Sequence, residues 1–354
     1  MKFALIGPPF SGKSTLFTAI TGLPPDPAQA AVERLATVKV PDLRLDLLAE
    51  LYKPKKYSPA TIELLDVPGI SLAEAHGQAE FRRCAPKLRQ CDGLVAVVRA
   101  FRNDAVPPYR DRIDPKADLA ELHTELIFAD LEQVSNRIER LQTQIKKGGK
   151  TIDADKRELA LFERIREALE QEKPVREAVH SDEEAKTVSS FAFLTLKPMV
   201  VVVNVGEDRI NDPPPFEHEH ARGTIVLSAD IEAQVAQLDP ADRPAFQAEL
   251  GITEPASAKL LHACYAAAGL ISFLTAGPEE VRAWTIPKGT PAVEAAGRIH
   301  SDLQRGFIRA ETVAYDDLKA AGDMKAARAA GKVRQEGKTY IVQDGDVILF
   351  KFNV

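Results

Sequence analysis

The sequence predicts an α/β protein with a parallel-rich sheet, an inserted helical segment and a smaller carboxy-terminal module. Three observations predict this class. Short apolar runs of strand length alternate with helical stretches over most of the chain, as in parallel sheets covered on both faces. Residues 117–147 form one long helical pattern between two of those strands. Residues 271–354 return to strands that alternate with a helix.

The predicted strands are short and mostly apolar. The first is KFALI at 2–6, and it leads through a glycine-containing loop into a helix beginning near Thr15. A strand, a turn at Pro41-Asp42 and a short helix are expected over 37–52. The other expected strands of the sheet lie within 60–70, 91–101, 197–208 and 223–235, the last followed by a helix.

The inserted segment predicts an antiparallel coiled coil. A 3-4-3-4 apolar spacing marks one helix, through Leu131, Val134, Ile138, Leu141 and Ile145. The break GGK at 148–150 precedes a second amphipathic helix over 155–173. The basic tip at 145–150 fits a solvated turn as well as an RNA or ribosome contact.

The predicted domains follow from these patterns. A sheet domain comprises 1–116 and 197–270, and the coiled-coil insertion occupies 117–196. The module at 271–354 is expected to be β-grasp-like, with strands at 281–286 and 307–315 around a helix at 292–304. Its end, 338–354, is expected to form a hairpin, because Asp344-Gly345 is a strong turn signal.

Composition is typical of a soluble globular protein. The chain has 354 residues, of which 45% are hydrophobic and 28% charged. Its three cysteines are too few and too scattered for a disulfide framework or a zinc site, so a reducing cytoplasm is expected. No stretch has the length of a signal peptide core or a membrane span. The net charge of −6 argues against broad, nonspecific affinity for nucleic acid.

The loop after the first strand matches G-x-x-x-x-G-K-[ST] through Gly7, Gly12, Lys13 and Ser14. In a strand–loop–helix context this pattern is a phosphate-binding loop, in which backbone N–H groups and the helix N-terminus face phosphate oxygens. Lys13 is expected to neutralise phosphate charge as a catalytic residue, and Ser14 to bind Mg²⁺. The N–H groups predicted to hold phosphate belong to Phe10, Ser11, Gly12, Lys13, Ser14 and Thr15.

A second motif narrows the class of nucleotide-binding protein. Asp66-Val67-Pro68-Gly69 follows the strand at 60–66, so Asp66 is expected to help hold Mg²⁺ and Gly69 to bond the γ-phosphate. A simple turn is the alternative.

The base is expected to lie near the ends of the last two sheet strands. Asn204-Val205-Gly206-Glu207 stands where GTPases carry N-K-x-D, with Glu207 in place of the guanine-reading Asp. Because Glu is one methylene longer, guanine specificity should be weak and adenine becomes plausible. The residues predicted to contact the base are Asn204, Val205, Glu207, Ser228 and Ala229.

Together these residues carry a family resemblance. The set GPPFSGKST, LLDVPG, NVGED and SADIEAQVAQLD, with the runs 273–317 and 338–354, resembles the YchF-type branch of Obg-like NTPases. The resemblance spans nearly the whole chain, and 271–354 looks like that family's TGS domain. It implies a P-loop G domain, a preference for ATP over GTP with Mg²⁺, association with the ribosome and slow hydrolysis. A cytoplasmic monomer is expected.

Three departures put hydrolysis in doubt. The family's switch segment carries a Thr that reaches Mg²⁺. The corresponding segment here, AVERLATVKV at 31–40, has no Thr at the expected place, since Thr37 lies in the predicted strand. Pro68 stiffens the D-x-x-G turn, and Ile70 follows it, as expected where the catalytic Gln is lacking. Pro108 stands where the family's compensating His is expected.

Three functions therefore stay open. The first is a ribosome-associated factor that binds ATP and hydrolyses it slowly. The second is an interaction scaffold that binds nucleotide without turnover. The third, a metabolic P-loop kinase, is disfavoured by the coiled coil and the terminal module.

Overall fold

The computed structural model describes residues 1–23, 32–69, 71, 75–148, 151–212, 215–239, 241–252 and 254–353. It divides into two compact units. The first comprises Met1–Ala36 and Glu63–Leu260, and the second comprises Thr37–Ile62 and Leu261–Val354. The second unit thus includes 37–62, which the predicted boundaries assign to the sheet domain. Those boundaries remain a prediction.

The strands fall into two sheets. In chain order they are β1 Lys2–Ile6, β2 Arg34–Lys39, β3 Lys56–Ser58, β4 Thr61–Asp66, β5 Gly93–Ala100, β6 Met199–Val205, β7 Gly223–Leu227, β8 Leu270–Ala276, β9 Glu280–Pro287, β10 Phe307–Ala314, β11 Arg334–Glu336 and β12 Asp346–Phe352. One sheet has the order β2-β4-β1-β5-β6-β7, and the other has the order β11-β10-β12-β8-β9-β3.

The helices lie between and after these strands. In chain order they are α1 Lys13–Thr21, α2 Leu43–Tyr52, α3 Ala75–Arg89, α4 Pro115–Lys147, α5 Ile152–Glu170, α6 Asp182–Ser189, α7 Ala229–Gln237, α8 Arg243–Glu249, α9 Ala256–Ala267, α10 Ala292–Ile299, α11 Ser301–Arg305, α12 Tyr315–Ala321 and α13 Met324–Ala329. None of the helices in the described ranges is long and apolar enough to cross a membrane.

The first sheet is a parallel core. The strands β4, β1, β5, β6 and β7 pair in parallel. Every residue of β6 is buried, and β5 is buried from Gly93 to Arg99. Strands buried on both faces are characteristic of α/β sheets, because helices cover both sides. The predicted α/β class with a parallel-rich sheet is confirmed.

The inserted segment is helical where the apolar spacing predicts it. Val134 and Ile138 of α4 share a core cluster with Phe162 and Ile165 of α5, so the two helices pack through these faces. Asp114 caps the start of α4 by accepting a hydrogen bond from the N–H of Ala117 at 3.0 Å. Whether the pair is a true coiled coil stays a prediction.

The second unit is built on its own sheet. Strand β3 pairs in parallel with β9, with Lys56 opposite Glu280. Arg44 of α2 forms an ion pair with Asp344 at 2.7 Å. These contacts explain why the segment 37–62 belongs with the carboxy-terminal region.

One prediction in this region is wrong. The run 338–354 does not form a two-stranded hairpin, because β12 pairs instead with β10 and β8. In the stretch before Asp344, Ile341 makes an isolated bridge to Pro291. The carboxylate of Asp346 explains the local course, since it accepts from Tyr340 Oη at 2.7 Å and Gln343 N at 2.9 Å. The Asp344-Gly345 turn signal is present, but the stretch before it is held by hydrogen bonds to the Asp346 side chain and does not pair with β12.

Candidate nucleotide-binding site

The predicted site residues gather at one edge of the first sheet. The loop before α1 follows β1, Asp66 ends β4, Asn204 lies one residue before the end of β6, and Ser228 follows β7. Because these strands are parallel, their carboxyl ends meet at the same edge. Ligands of open α/β sheets bind at this edge.

The loop over 7–12 has a backbone that requires glycine at two places. Gly7 and Gly12 have φ values of 148° and 91°. A Cβ at Gly7 would collide with the carbonyl oxygen of Val97, and one at Gly12 with the side-chain nitrogen of Asn204. Phe10 also adopts a positive φ of 60°, which is unusual for a side chain of this size. Such strain concentrates at ligand-binding loops.

Lys13 lies buried behind this loop. Its ammonium donates to the carbonyl oxygens of Gly7 at 2.9 Å and Pro8 at 2.7 Å. Burial lowers the pKa of Lys13 to about 8, although the nearby charge of Asp66 acts in the opposite direction. The structure therefore holds a poorly solvated cation beside the loop predicted to bind phosphate.

Asp66 is the second charged group of the site. Its Oδ2 accepts a hydrogen bond from Arg34 Nη2 at 2.8 Å, and its side chain is only 6% exposed. Its Oδ1 is buried and, among the described residues, has no hydrogen-bond partner. A buried carboxylate oxygen without a donor fits a cation or its bound water.

The donor set is consistent with magnesium. Mg²⁺ typically takes only one or two protein ligands and completes its shell with water and phosphate. Within the described ranges, no group of three or more His, Cys, Asp or Glu residues could hold a metal. The carboxylate of Asp66 and the exposed Ser14 in the first turn of α1 form a ligand set of the size that Mg²⁺ takes from a protein when it binds with a nucleotide.

The D-x-x-G turn approaches the loop closely. A Cβ at Gly69 would lie 2.8 Å from the Cα of Pro9. Only glycine allows this approach without displacing backbone. Gly69 is therefore placed beside the loop, as its predicted role requires, whereas Ile70 lies outside the described residues.

Asn204 links two loops of the site. Its Nδ2 donates to the carbonyl oxygen of Ser11 at 3.0 Å, and its Oδ1 accepts from the N–H of Ala229 at 2.9 Å. The side-chain amide therefore positions the phosphate loop against the start of α7. Contacts of Asn204 and Ala229 with a base remain predictions, since the Ala229 N–H is already bonded to Asn204.

The remaining predicted base residues differ in exposure. Val205 is buried, whereas Glu207 is exposed in a short 3₁₀ turn after β6. Ser228 caps α7, with its Oγ accepting from the N–H of Ile231 at 3.5 Å. Ser11 in the loop over 7–12 is buried, whereas Thr15 in the first turn of α1 is exposed. Glu207 is thus the predicted base residue whose carboxylate is open to solvent.

Sequence reasoning missed Arg34. Alternate residues Arg34, Ala36 and Val38 of β2 are partly or fully buried, whereas Leu35, Thr37 and Lys39 are exposed. An arginine on the buried face of a strand is unusual, and that alternation was the available signal. Arg34 lies in the segment where the family's switch Thr is expected. That segment therefore contributes a cation at the carboxylate of Asp66.

Comparisons with known proteins agree with this geometry. A family model described as a 50S ribosome-binding GTPase matches residues 2–139. A model for the carboxy-terminal region of YchF GTPases, described as a protein of unknown function, matches residues 270–353. The ribosome-binding ATPase YchF of Bacillus subtilis is 43% identical, over 99% of this chain and 98% of that protein.

The chain belongs to the YchF family. Obg-like ATPase 1 of Oryza sativa is 38% identical, covering all of this chain and 92% of that protein. The solved structure of the Schizosaccharomyces pombe YchF GTPase matches with a TM-score of 0.81 at 29% identity, over 99% of this chain and 97% of that one. The resemblance to YchF-type NTPases and the predicted fold class are therefore confirmed.

Proposed function

We propose that this YchF-family protein binds Mg-ATP in preference to GTP, hydrolyses it slowly and acts in association with the ribosome in the cytoplasm. The observation that carries the proposal is that Lys13 and Asp66 are both buried near the carboxyl edge of the parallel sheet, close enough for the charge of Asp66 to act on Lys13. Burying two charges without a ligand-related role would cost stability.

Each residue has a role that follows from its position. The Lys13 ammonium would exchange its hydrogen bonds to two loop carbonyls for contacts with the β- and γ-phosphates. Backbone N–H groups of Phe10 through Thr15 would donate to phosphate oxygens. Gly69 would donate its N–H to the γ-phosphate. Asn204 keeps the phosphate loop and the start of α7 in register, so that phosphate and base contacts form together.

Two residues of the site could hold a magnesium ion that binds together with a nucleotide. Ser14 and Asp66 are the residues that would hold it, and its chemistry is neutralisation of charge on the β- and γ-phosphates. The unpartnered Oδ1 of Asp66 supports this assignment.

The preference for ATP rests on Glu207. Guanine recognition by N-K-x-D requires a carboxylate at a fixed distance from the strand end, and the extra methylene of Glu207 displaces it. The exposed position of Glu207 after β6 supports a role at the base rather than in the core.

Slow hydrolysis is supported by the segment around Pro108. Arg99 donates to the carbonyl oxygens of Phe101 at 3.1 Å, Val106 at 3.0 Å and Pro107 at 3.2 Å, which holds this segment in place. Pro108 has no group that could orient or deprotonate water. The same feature favours the alternative, a scaffold that binds nucleotide without turnover.

Isothermal titration with ATP and with GTP, each with Mg²⁺, tests the proposal. We expect ATP to bind more tightly, and Lys13→Ala to weaken ATP binding at least about a hundredfold by removing a charge-assisted phosphate contact. Lys116→Ala, which removes an exposed lysine of α4, is the matched control and should bind as the wild type does. Tighter binding of GTP would overturn the base assignment.

Two further measurements separate the factor from the scaffold. Phosphate release by the wild type above the Lys13→Ala background supports slow hydrolysis, whereas equal rates support the scaffold. Co-sedimentation with ribosomes should depend on ATP in the wild type and lose that dependence in Lys13→Ala. Absence of the wild-type protein from the ribosome pellet under every nucleotide condition would remove the ribosome from the proposal.

A further inference from the structure

Arg34 joins the two residues assigned to magnesium. One nitrogen, Nη2, donates to Asp66 Oδ2 at 2.8 Å and to the backbone carbonyl oxygen of Ser14 at 3.3 Å. The Arg34 side chain is 15% exposed, so solvent screens this contact only in part. Its guanidinium carbon also lies 4.6 Å from the ring centroid of Phe17, which is fully buried.

Arg34 makes more contacts than a solubilising surface charge would require. An inward-facing charge on an edge strand such as β2 also discourages pairing with other chains. That role requires no bond to Ser14 or Asp66. The cation–π contact with Phe17 fixes the guanidinium over α1, directly beside the first turn that follows the phosphate loop.

A guanidinium and a magnesium ion compete for the same carboxylate. Asp66 Oδ2 is already bonded to Arg34, and a metal held through Oδ1 would face the positive charge on the other oxygen. Full coordination of the metal by Asp66 therefore favours release of Arg34. Conversely, without metal, Arg34 neutralises Asp66 and lowers its repulsion of nucleotide phosphates.

We propose that Arg34 is a built-in cation at the magnesium position, which competes with Mg²⁺ for Asp66 and allows nucleotide to bind without metal. This inference rests on the proposed nucleotide binding. It assigns to Arg34 a positioning role, since the residue acts through Asp66 rather than on the nucleotide.

The test is ATP affinity with excess Mg²⁺ and with EDTA, measured by isothermal titration for the wild type and Arg34→Ala. Without Arg34, binding with Mg²⁺ should tighten and binding with EDTA should weaken. The ratio of the two dissociation constants should rise about tenfold or more, as expected for loss of one charge-assisted hydrogen bond. Arg34→Gln should behave in the same way if Arg34→Ala melts early.

Two controls isolate the contact. Lys39→Ala removes an exposed cation from the same strand and should leave the ratio unchanged. In an Asp66→Asn background, Arg34→Ala should no longer alter the ratio, because the carboxylate through which it acts is gone.

The failures are distinguishable. If the wild type binds ATP and Arg34→Ala leaves the ratio unchanged, this inference is overturned while the proposed function stands. If the wild type binds no nucleotide in either condition, the proposed function fails, and the inference fails with it.

Discussion

Asp66 and Asp130, two buried aspartates of the first unit, differ in how completely their oxygens are bonded. Asp130, on α4, accepts from Arg89 Nη1 at 2.8 Å, Leu194 N at 2.9 Å, Thr195 N at 2.8 Å and Thr195 Oγ1 at 2.9 Å. Asp66 has one ion pair and an oxygen without a partner among the described residues.

The difference distinguishes a charge whose hydrogen bonding is complete from one whose bonding is not. Four donors compensate the burial of Asp130 and tie α4 to α3 and to the stretch before β6. The incomplete bonding of Asp66 costs stability unless a cation and phosphates supply the missing interactions. Of these two carboxylates, Asp66 is therefore the one with an oxygen still able to accept a cation or a donor.

Asp130→Ala gives the largest expected effect. It removes the carboxylate that pairs with the mostly buried Arg89 and leaves two backbone N–H groups without their acceptor, so the free energy of unfolding should fall by about 3–5 kcal/mol. Urea denaturation measures this loss. A loss below about 1 kcal/mol would mean that Asp130 is not the anchor that its four donors indicate.

Asn204→Ala should give the next largest loss of stability, because the Asn204 side chain hydrogen-bonds two loops of the candidate site to each other. The N–H of Ala229 would lose its acceptor, at a cost of about 1–3 kcal/mol. Asn204→Asp keeps an acceptor for Ala229 but places a buried carboxylate oxygen against the carbonyl oxygen of Ser11, so it should lose at least as much stability as Asn204→Ala. Urea denaturation measures both losses, and a loss below about 0.5 kcal/mol in Asn204→Ala would contradict the assignment.

The sequence predicts much of this molecule for identifiable reasons. The apolar runs around Val97 and Val202 predict the parallel core, because they are too continuous for strands with a solvated face. Gly7, Gly12 and Lys13 predict the phosphate loop, because their spacing encodes a backbone conformation that local sequence determines.

Other features depend on contacts distant in sequence. Three contacts join residues that no local pattern relates. They are the pairing of β8 with β9, the pairing of β3 with β9 and the hydrogen bond of Arg34 to Asp66. Asn204 was predicted from its motif, but its bonds to Ser11 and Ala229 needed the folded positions of three loops. The motifs therefore predict which residues lie at this edge of the sheet, whereas several of their hydrogen-bond partners depend on the folded structure.

His123, on α4, is a third buried titratable group and gives a smaller, pH-dependent effect. Its ring stacks on that of His220 at 4.5 Å between centroids and lies 5.8 Å from that of His218. Burial, aided by the charges of His220, His218 and Arg176, lowers the pKa of His123 to about 4. The unfolded chain therefore binds more protons between about pH 6.5 and about pH 4.

Stability should consequently fall as the pH falls through this window. Between about pH 7 and about pH 5 the wild type should lose about 2 kcal/mol more than His123→Gln, which cannot titrate there. Urea denaturation at the two pH values measures the difference. Parallel losses in both proteins would show that His123 is protonated as readily in the folded state as in the unfolded one.

Asp66→Asn should have the smallest effect on stability and so tests the comparison most directly. The Asn side-chain oxygen can still accept from Arg34, and the substitution removes a buried charge whose Oδ1 has no hydrogen-bond partner among the described residues, so the free energy of unfolding should change by less than about 1 kcal/mol. Binding of ATP with Mg²⁺ should nevertheless weaken about tenfold or more, since the metal loses its carboxylate.

Asp130→Asn, measured alongside, should show the reverse pattern, with a clear loss of stability and little change in affinity of the folded protein. A loss of stability at Asp66 equal to that at Asp130 would mean that both carboxylates serve the fold, and incomplete bonding would then not mark the ligand site.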